Sequence, residues 1–257
     1  MALSPERLDR FARHIVLPEI GGAGQAALTK AHIALIGVGG IGSPALQYLA
    51  GAGIGKLTLI DDDTVEMSNL QRQTLFGERD LGGRKAELAA LWVDEFDQMA
   101  EVSWHARRLT ADNAAELIVG ADLVLDGCDN FATRLAVSDA CVAARVPLLS
   151  AAVGRFQGQV GAFAGHLPDQ PCYRCFVGDA GEADDGETCA EDGMLGAMAG
   201  WAGTFAALQA IRVLLAPSGG LGDPQWAKLH VLDGLAPSLR TMAIAKDPAC
   251  RGCGLAG

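Results

Sequence analysis

One glycine-rich turn limits what this chain can fold into more than any other feature. Residues 32–36 read HIALI, a short apolar strand, and Gly37-Val38-Gly39-Gly40-Ile41-Gly42 follows at once. A G-x-G-x-x-G turn folds tightly and lets peptide N–H groups approach a phosphate at the start of the next helix. That helix is expected over 42–51. A second strand over 56–60 (KLTLI) ends at Asp61, about 20 residues past the turn, where an acid can take ribose hydroxyls. Strand, turn, helix and acid in this order predict nucleotide binding. The alternative is a turn that serves only helix–sheet packing.

The rhythm continues. A polar stretch over 61–83 leads to a helix at 84–96, a strand at 102–109, a helix at 113–118, a strand at 123–125, a helix at 132–144 and a strand at 147–150. Strands alternating with helices imply a parallel sheet. After residue 150 strands over 157–163, 226–232 and 238–244 read as antiparallel additions. The expected fold class is therefore α/β, a Rossmann-like doubly wound sheet, parallel in its first half with antiparallel strands added in the second. Residues 1–30 read as a helical lead-in broken by GGAG at 21–24. The whole is taken as a single domain over 1–257: this lead-in, a nucleotide-binding half over 31–150, and a second half over 151–257.

Composition narrows the function classes. With 20 basic and 31 acidic residues the net charge is −11, which argues against general coating of nucleic acid. The apolar run over 194–211, rich in Gly and Ala, approaches the length of a membrane span; a buried helix packing through small residues is the preferred reading, so no membrane is expected. The first residues carry charges where a signal peptide needs an apolar core, and a cytoplasmic location follows. Four of the seven cysteines form two pairs, Cys172-x-x-Cys175 and Cys250-x-x-Cys253. In a reducing compartment such pairs point to a metal first and to redox chemistry second. Cys128 and Cys141 read as buried thiols. The acidic segment over 179–192, which holds Cys189, reads as a mobile loop.

The turn alone does not separate an NAD enzyme from an ATP enzyme. The next stretch, Asp61-Asp62-Asp63 through Asn69, Arg72 and Gln73, bears on it. A triphosphate needs cations, and Arg72 and Lys85 are candidates to stabilise charge at a phosphorus under attack. An NAD-dependent oxidoreductase on the same turn remains the alternative, although no separate constellation for hydride transfer is found. Arg72 and Lys85 lying far from the 37–42 turn, in bulk solvent, would exclude the ATP reading.

These residues carry a resemblance. The blocks RFARHIVLPEIGGAGQAAL, IGVGGIGSPALQYLAGAGIGKLTLIDDDTVEMSNLQRQTLF, GGRKAE, DGCDNFATR, PCYRC and DPACRGCG, in this order, resemble the MoeB/ThiF/HesA group, the bacterial ubiquitin-activating-enzyme-like adenylyltransferases, and most of all the molybdopterin-synthase type. The resemblance implies ATP-dependent adenylylation of the C-terminal glycine of a small ubiquitin-like sulfur carrier, with release of pyrophosphate. Gly37, Gly39, Gly40 and Gly42 would cradle the phosphates and Asp61 the ribose, with Asp63, Asn69, Arg72, Gln73, Lys85 and Asn130 around the nucleotide. Asp129 would hold Mg²⁺; its alternative is an N-cap for the following helix. Arg13 would reach into the partner's site of a homodimer; otherwise it is a surface arginine. Cys172, Cys175, Cys250 and Cys253 would hold structural Zn²⁺. Cys189 would join the carrier covalently in some relatives and is dispensable in others. Two departures stand out. The rhodanese domain of larger relatives does not follow Cys253, so a separate sulfur donor is expected. Asp62 replaces a residue that is often apolar.

Overall fold

The alternating runs assemble into one eight-stranded sheet in the computed structural model, which describes residues 3–178 and 193–254. In chain order the elements are α1 (Pro5–Arg10), α2 (Ala12–Ile15), α3 (Gly21–Leu28), β1 (His32–Ile36), α4 (Gly42–Gly51), β2 (Lys56–Ile60), α5 (Lys85–Phe96), β3 (Glu101–His105), α6 (Ala114–Leu117), β4 (Leu123–Asp126), α7 (Phe131–Ala144), β5 (Leu148–Gly154), β6 (Gln157–Phe163), α8 (Tyr173–Val177), α9 (Gly196–Leu215), β7 (Lys228–Asp233) and β8 (Ser238–Ala243). The sheet order is β3-β2-β1-β4-β5-β6-β7-β8. Pairing is parallel from β3 to β5 and antiparallel from β5 to β8. The mixed α/β class read from the sequence is the one observed.

The central strands are mostly apolar because both faces are covered. Ile33 and Leu35 of β1 enter a core formed with α4, α5 and α9, while Ala34 and Ile36 enter the opposite core with α6, α7 and α8. The period of two along one strand thus serves two helical layers. Helix α9 has the length and composition of a membrane span. Here Ala199, Ala202, Ala206 and Ala210 are fully buried, in the core that α9 forms with β5 and β6. Small side chains bring its backbone close to α4: a Cβ on Gly203 would lie 2.3 Å from the Ile41 carbonyl oxygen.

Several boundaries differ from expectation. Gly21–Gly24 do not break the lead-in; they open α3, and the peptide N–H of Gly21 donates to the Leu17 carbonyl at 2.8 Å. The reason is close packing, since a Cβ on Gly24 would come within 3.1 Å of Ile20 and 3.5 Å of Leu215. Strand β5 runs on to Gly154 because β6 pairs with its whole length. Strand β3 stops at His105, the last residue paired with β2, and residues 107–109 turn toward the cleft at the sheet's edge. The acidic segment read as a loop, with Cys189, lies outside the described residues.

Candidate functional site

In this strand order β1 and β4 are neighbours from which the chain winds in opposite directions. An open α/β sheet has its crevice at such a point, beyond the carboxyl ends of the strands. A cleft of about 600 Å³ opens there, lined by the turn after β1, Asp61–Asp63 after β2, Ser68, Asn69 and residues 71–73, Lys85, the turn after β4, and Gly193 and Met194.

The glycine turn is shaped by contacts that a side chain would prevent. Gly37 has φ +82°, and a Cβ there would lie 3.1 Å from the Cys128 peptide nitrogen. A Cβ on Gly42 would lie 1.9 Å from the Gly37 carbonyl oxygen. Gly40 faces Arg72, whose Cγ and Cδ sit 3.3 Å from where its Cβ would be. Asp61 locks the turn to β2: its carboxylate accepts from the Val38 N–H at 2.7 Å and from the Asp63 N–H at 2.9 Å. Burial pushes the Asp61 carboxyl above the usual range, against the Val38 hydrogen bond and Lys85, which favour its charge.

The cations converge on this turn. Residues 66–69 form a single 3-10 turn closed by a capping box, in which Asn69 Oδ1 accepts from the Glu66 N–H at 3.2 Å. The Arg72 and Gln73 N–H groups both donate to the Asn69 carbonyl at 3.0 Å, which sets the direction of their side chains. Arg72 donates from Nη1 to the Ser68 carbonyl at 3.0 Å. Gln73 is buried, and its Oε1 has no hydrogen-bond partner among the described residues. Lys85 is 4% exposed and its Nζ donates to Asp63 Oδ2 at 2.9 Å. The cleft therefore holds Arg72 and Lys85 beside the turn, not in bulk solvent.

The turn after β4 is supported by a buried network absent from the sequence reading. Asp126, fully buried, pairs with Arg134 at 3.6 Å, accepts from Ser150 Oγ at 3.1 Å and from the Cys128 N–H at 3.0 Å. Arg134 also donates to the carbonyls of Cys128 and Ala151. Burial opposes the Arg134 charge, but Asp126, Cys128 and Tyr173 together outweigh it and the guanidinium is held more firmly protonated than usual. The available signal was one arginine in a mostly apolar helical stretch, at the end of the DNFATR run. Asn130, not Asp129, caps α7, its side-chain oxygen accepting from the Thr133 N–H at 2.9 Å. The cap alternative for Asp129 is thereby replaced: its exposed carboxylate has no ion-pair or hydrogen-bond partner among the described residues and lines the cleft. A lone carboxylate on the wall of such a cleft fits a hard divalent cation. Cys141 is buried as expected, whereas Cys128 is only half-buried, because it sits where the chain leaves the sheet on the cleft wall. Burial and Asp126 push the Cys128 thiol well up, so it stays protonated.

Away from the cleft, the four paired cysteines meet. Sγ–Sγ separations are 3.9 Å within Cys172/Cys175, 3.6 Å for Cys172/Cys250 and 3.4 Å for Cys175/Cys253, and all four sulfurs lie within 4.8 Å of one another. A tetrahedral thiolate shell with zinc–sulfur bonds of about 2.3 Å has edges of about 3.8 Å. The donor set fits that ion. Arg13, on α2, is exposed and does not line the cleft of its own chain.

Fold and cleft together define a nucleotide-binding α/β protein with two cations, Arg72 and Lys85, beside its glycine turn. The ThiF family pattern matches residues 11–252, and the chain belongs to that family. A "SAMP-activating enzyme E1" of Haloferax volcanii is 37% identical over 257 residues, 100% of this chain and 93% of that protein. A "Sulfur carrier protein adenylyltransferase" of Thermus thermophilus is 38% identical over 259 residues, 99% of this chain and 93% of that protein. The "Adenylyltransferase and sulfurtransferase MOCS3" of Mus musculus is 39% identical over 98% of this chain, which spans 54% of that protein. Among solved structures, E. coli MccB with ATP matches with a TM-score of 0.81, covering 98% of this chain and 75% of that one; at 22% identity the likeness is one of fold.

Proposed function

We propose that this chain is an adenylyltransferase that joins the C-terminal glycine of a ubiquitin-like sulfur carrier to AMP. A carboxylate is a poor acyl electrophile, and its adenylate has a good leaving group. In the step, a carrier carboxylate oxygen bonds to the α-phosphorus of ATP, the bond from that phosphorus to the bridging oxygen breaks, and pyrophosphate leaves with the electron pair. The observation that carries this reading is the packing of Arg72 against Gly40 with Lys85 buried alongside. Pre-placed cations at that point stabilise charge as it develops and need no reorganisation. Gly37, Gly39, Gly40 and Gly42 bring backbone to the phosphates, Asp61 takes the ribose, and Asn69 and Gln73 orient the oxygens. Asp63 holds Lys85 in place. The NAD reading offers no role for Arg72 and Lys85 and is not favoured.

Asp129 is the residue we infer to hold Mg²⁺, which when bound draws charge from the phosphate oxygens. Zinc on Cys172, Cys175, Cys250 and Cys253 is structural, because four thiolates leave no open position. Arg13 acts in the neighbouring protomer's site, which makes the working unit a homodimer. Sulfur arrives from a separate donor protein, and the setting is cytoplasmic, where paired thiols stay reduced. The pathway, molybdopterin, thiamine or tRNA thiolation, is the carrier's to decide. The test is ATP–pyrophosphate exchange with a Gly-Gly-ended carrier. Exchange is expected with the native chain and not with Arg72→Ala; exchange undiminished in Arg72→Ala overturns the reading. Cys189→Ala is expected to leave exchange intact, since its acidic neighbours disfavour the thiolate.

A further inference from the structure

Residues 107–109 follow β3, which lies across β2 from the strand that carries the glycine turn, and they line the cleft on that side. Asp61, at the end of β2, marks the ribose in the reading above, and Arg72, Lys85 and Gly40 mark the phosphates. A nucleoside's base lies on the far side of its ribose, and on that side the cleft is closed by the segment after β3. This segment is held firmly. Its Arg108 carbonyl accepts from Asn113 Nδ2 at 2.9 Å, Asn113 Oδ1 accepts from the Thr110 N–H at 2.8 Å, and the Leu109 carbonyl accepts from Thr133 Oγ1 at 3.4 Å. Leu109, buried, and Arg108 both line the cleft.

The Arg108 side chain is tied across the cleft rim: its Nε donates to Asp62 Oδ2 at 3.0 Å. The two side chains are 57% and 38% exposed. An ion pair that open to water adds little to folding, so stability does not account for a charged pair here. A guanidinium does offer a planar, weakly hydrated surface that stacks on aromatic rings, and lysine does not.

We propose that Asp62 and Arg108 form the base-selecting wall of the nucleotide cleft, with Arg108 stacking on a purine and Asp62 holding its guanidinium in place. Arg108 touches the nucleotide; Asp62 is a positioning residue. The proposal rests on the nucleotide-binding reading but not on adenylation, so its test is direct binding without carrier. Affinities of ATP, UTP and inorganic tripolyphosphate are measured by calorimetry on the full chain.

The native chain is expected to prefer ATP over UTP. Arg108→Ala is expected to weaken ATP about tenfold, to affect UTP less, and to leave tripolyphosphate unchanged. Arg108→Lys, which keeps the charge and loses the plane, should behave like Arg108→Ala. Asp62→Ala should lower the ATP preference in the same direction by a smaller factor. Equal losses for all three ligands, or full rescue by Arg108→Lys, would make Arg108 a general phosphate attractor and overturn the proposal. An unchanged ATP:UTP ratio in Arg108→Ala overturns it as well. A native chain that binds no nucleotide overturns this proposal and the parent reading together; failure of pyrophosphate exchange with ATP binding intact touches only the parent reading.

Discussion

Single side chains in this cleft are set by competition between burial and pairing. Asp61 is the clearest case. Its carboxyl is raised by burial, yet two peptide N–H groups need it as an acceptor. If the ribose is held by the ionised form, ATP affinity falls as pH drops through the raised value, sooner than for an ordinary carboxylate near 3.8. A titration of ATP affinity between neutral and acidic pH checks this, and an affinity that falls no sooner than an ordinary carboxylate would make it fall removes Asp61 from the ribose. Arg134 shows the opposite balance. Its pair with Asp126 is buried, so Arg134→Ala leaves a charge without a partner and is expected to cost about 3–5 kcal/mol in urea unfolding. That Arg72 and Lys85 belong with the glycine turn was readable from residue type and spacing. The Asp126–Arg134–Ser150 network was not, because its members are separated in sequence and meet only when β4, β5 and α7 are neighbours.

At the level of elements, backbone proximity replaces side-chain packing at two places. The glycine turn closes on itself, and Gly42→Ala would set a methyl against the Gly37 carbonyl. The expected result is a destabilisation of about 2 kcal/mol or more together with loss of ATP binding, since the turn must open. Where α9 crosses α4, Gly203→Ala would press on the Ile41 carbonyl and Pro44; about 1–3 kcal/mol of stability should be lost, with the denaturation midpoint as readout. Apolar runs and glycines revealed the existence and kind of most elements. Their ends were decided by partners: β5 lengthens to match β6, β3 stops where β2 no longer faces it, and the early glycines become helix because α3 must lie close to α9.

For the whole molecule, the cysteine cluster ties Cys250 and Cys253, near the end of the chain, to α8 and the residue before it. Cys172→Ser is expected to lower both bound zinc, by elemental analysis, and the melting temperature; unchanged metal content would remove the four-thiolate site. The proposed exchange of Arg13 between protomers has a quantitative consequence. Mixing equal amounts of Arg13→Ala and Arg72→Ala chains should restore about a quarter of native exchange, because half the dimers are mixed and each carries one complete site. No recovery after subunit exchange would place Arg13 outside the reaction. The chain's own text settled its alternation of strand and helix, its phosphate turn and its paired thiols, since each follows from local spacing and side-chain chemistry. Tertiary structure alone decided that Arg72 and Lys85 meet the glycine turn, what supports the turn after β4, and that Asp62 pairs with Arg108 at the cleft rim. Those outcomes depend on distances between residues far apart in sequence, which exist only once the sheet has set its strand order.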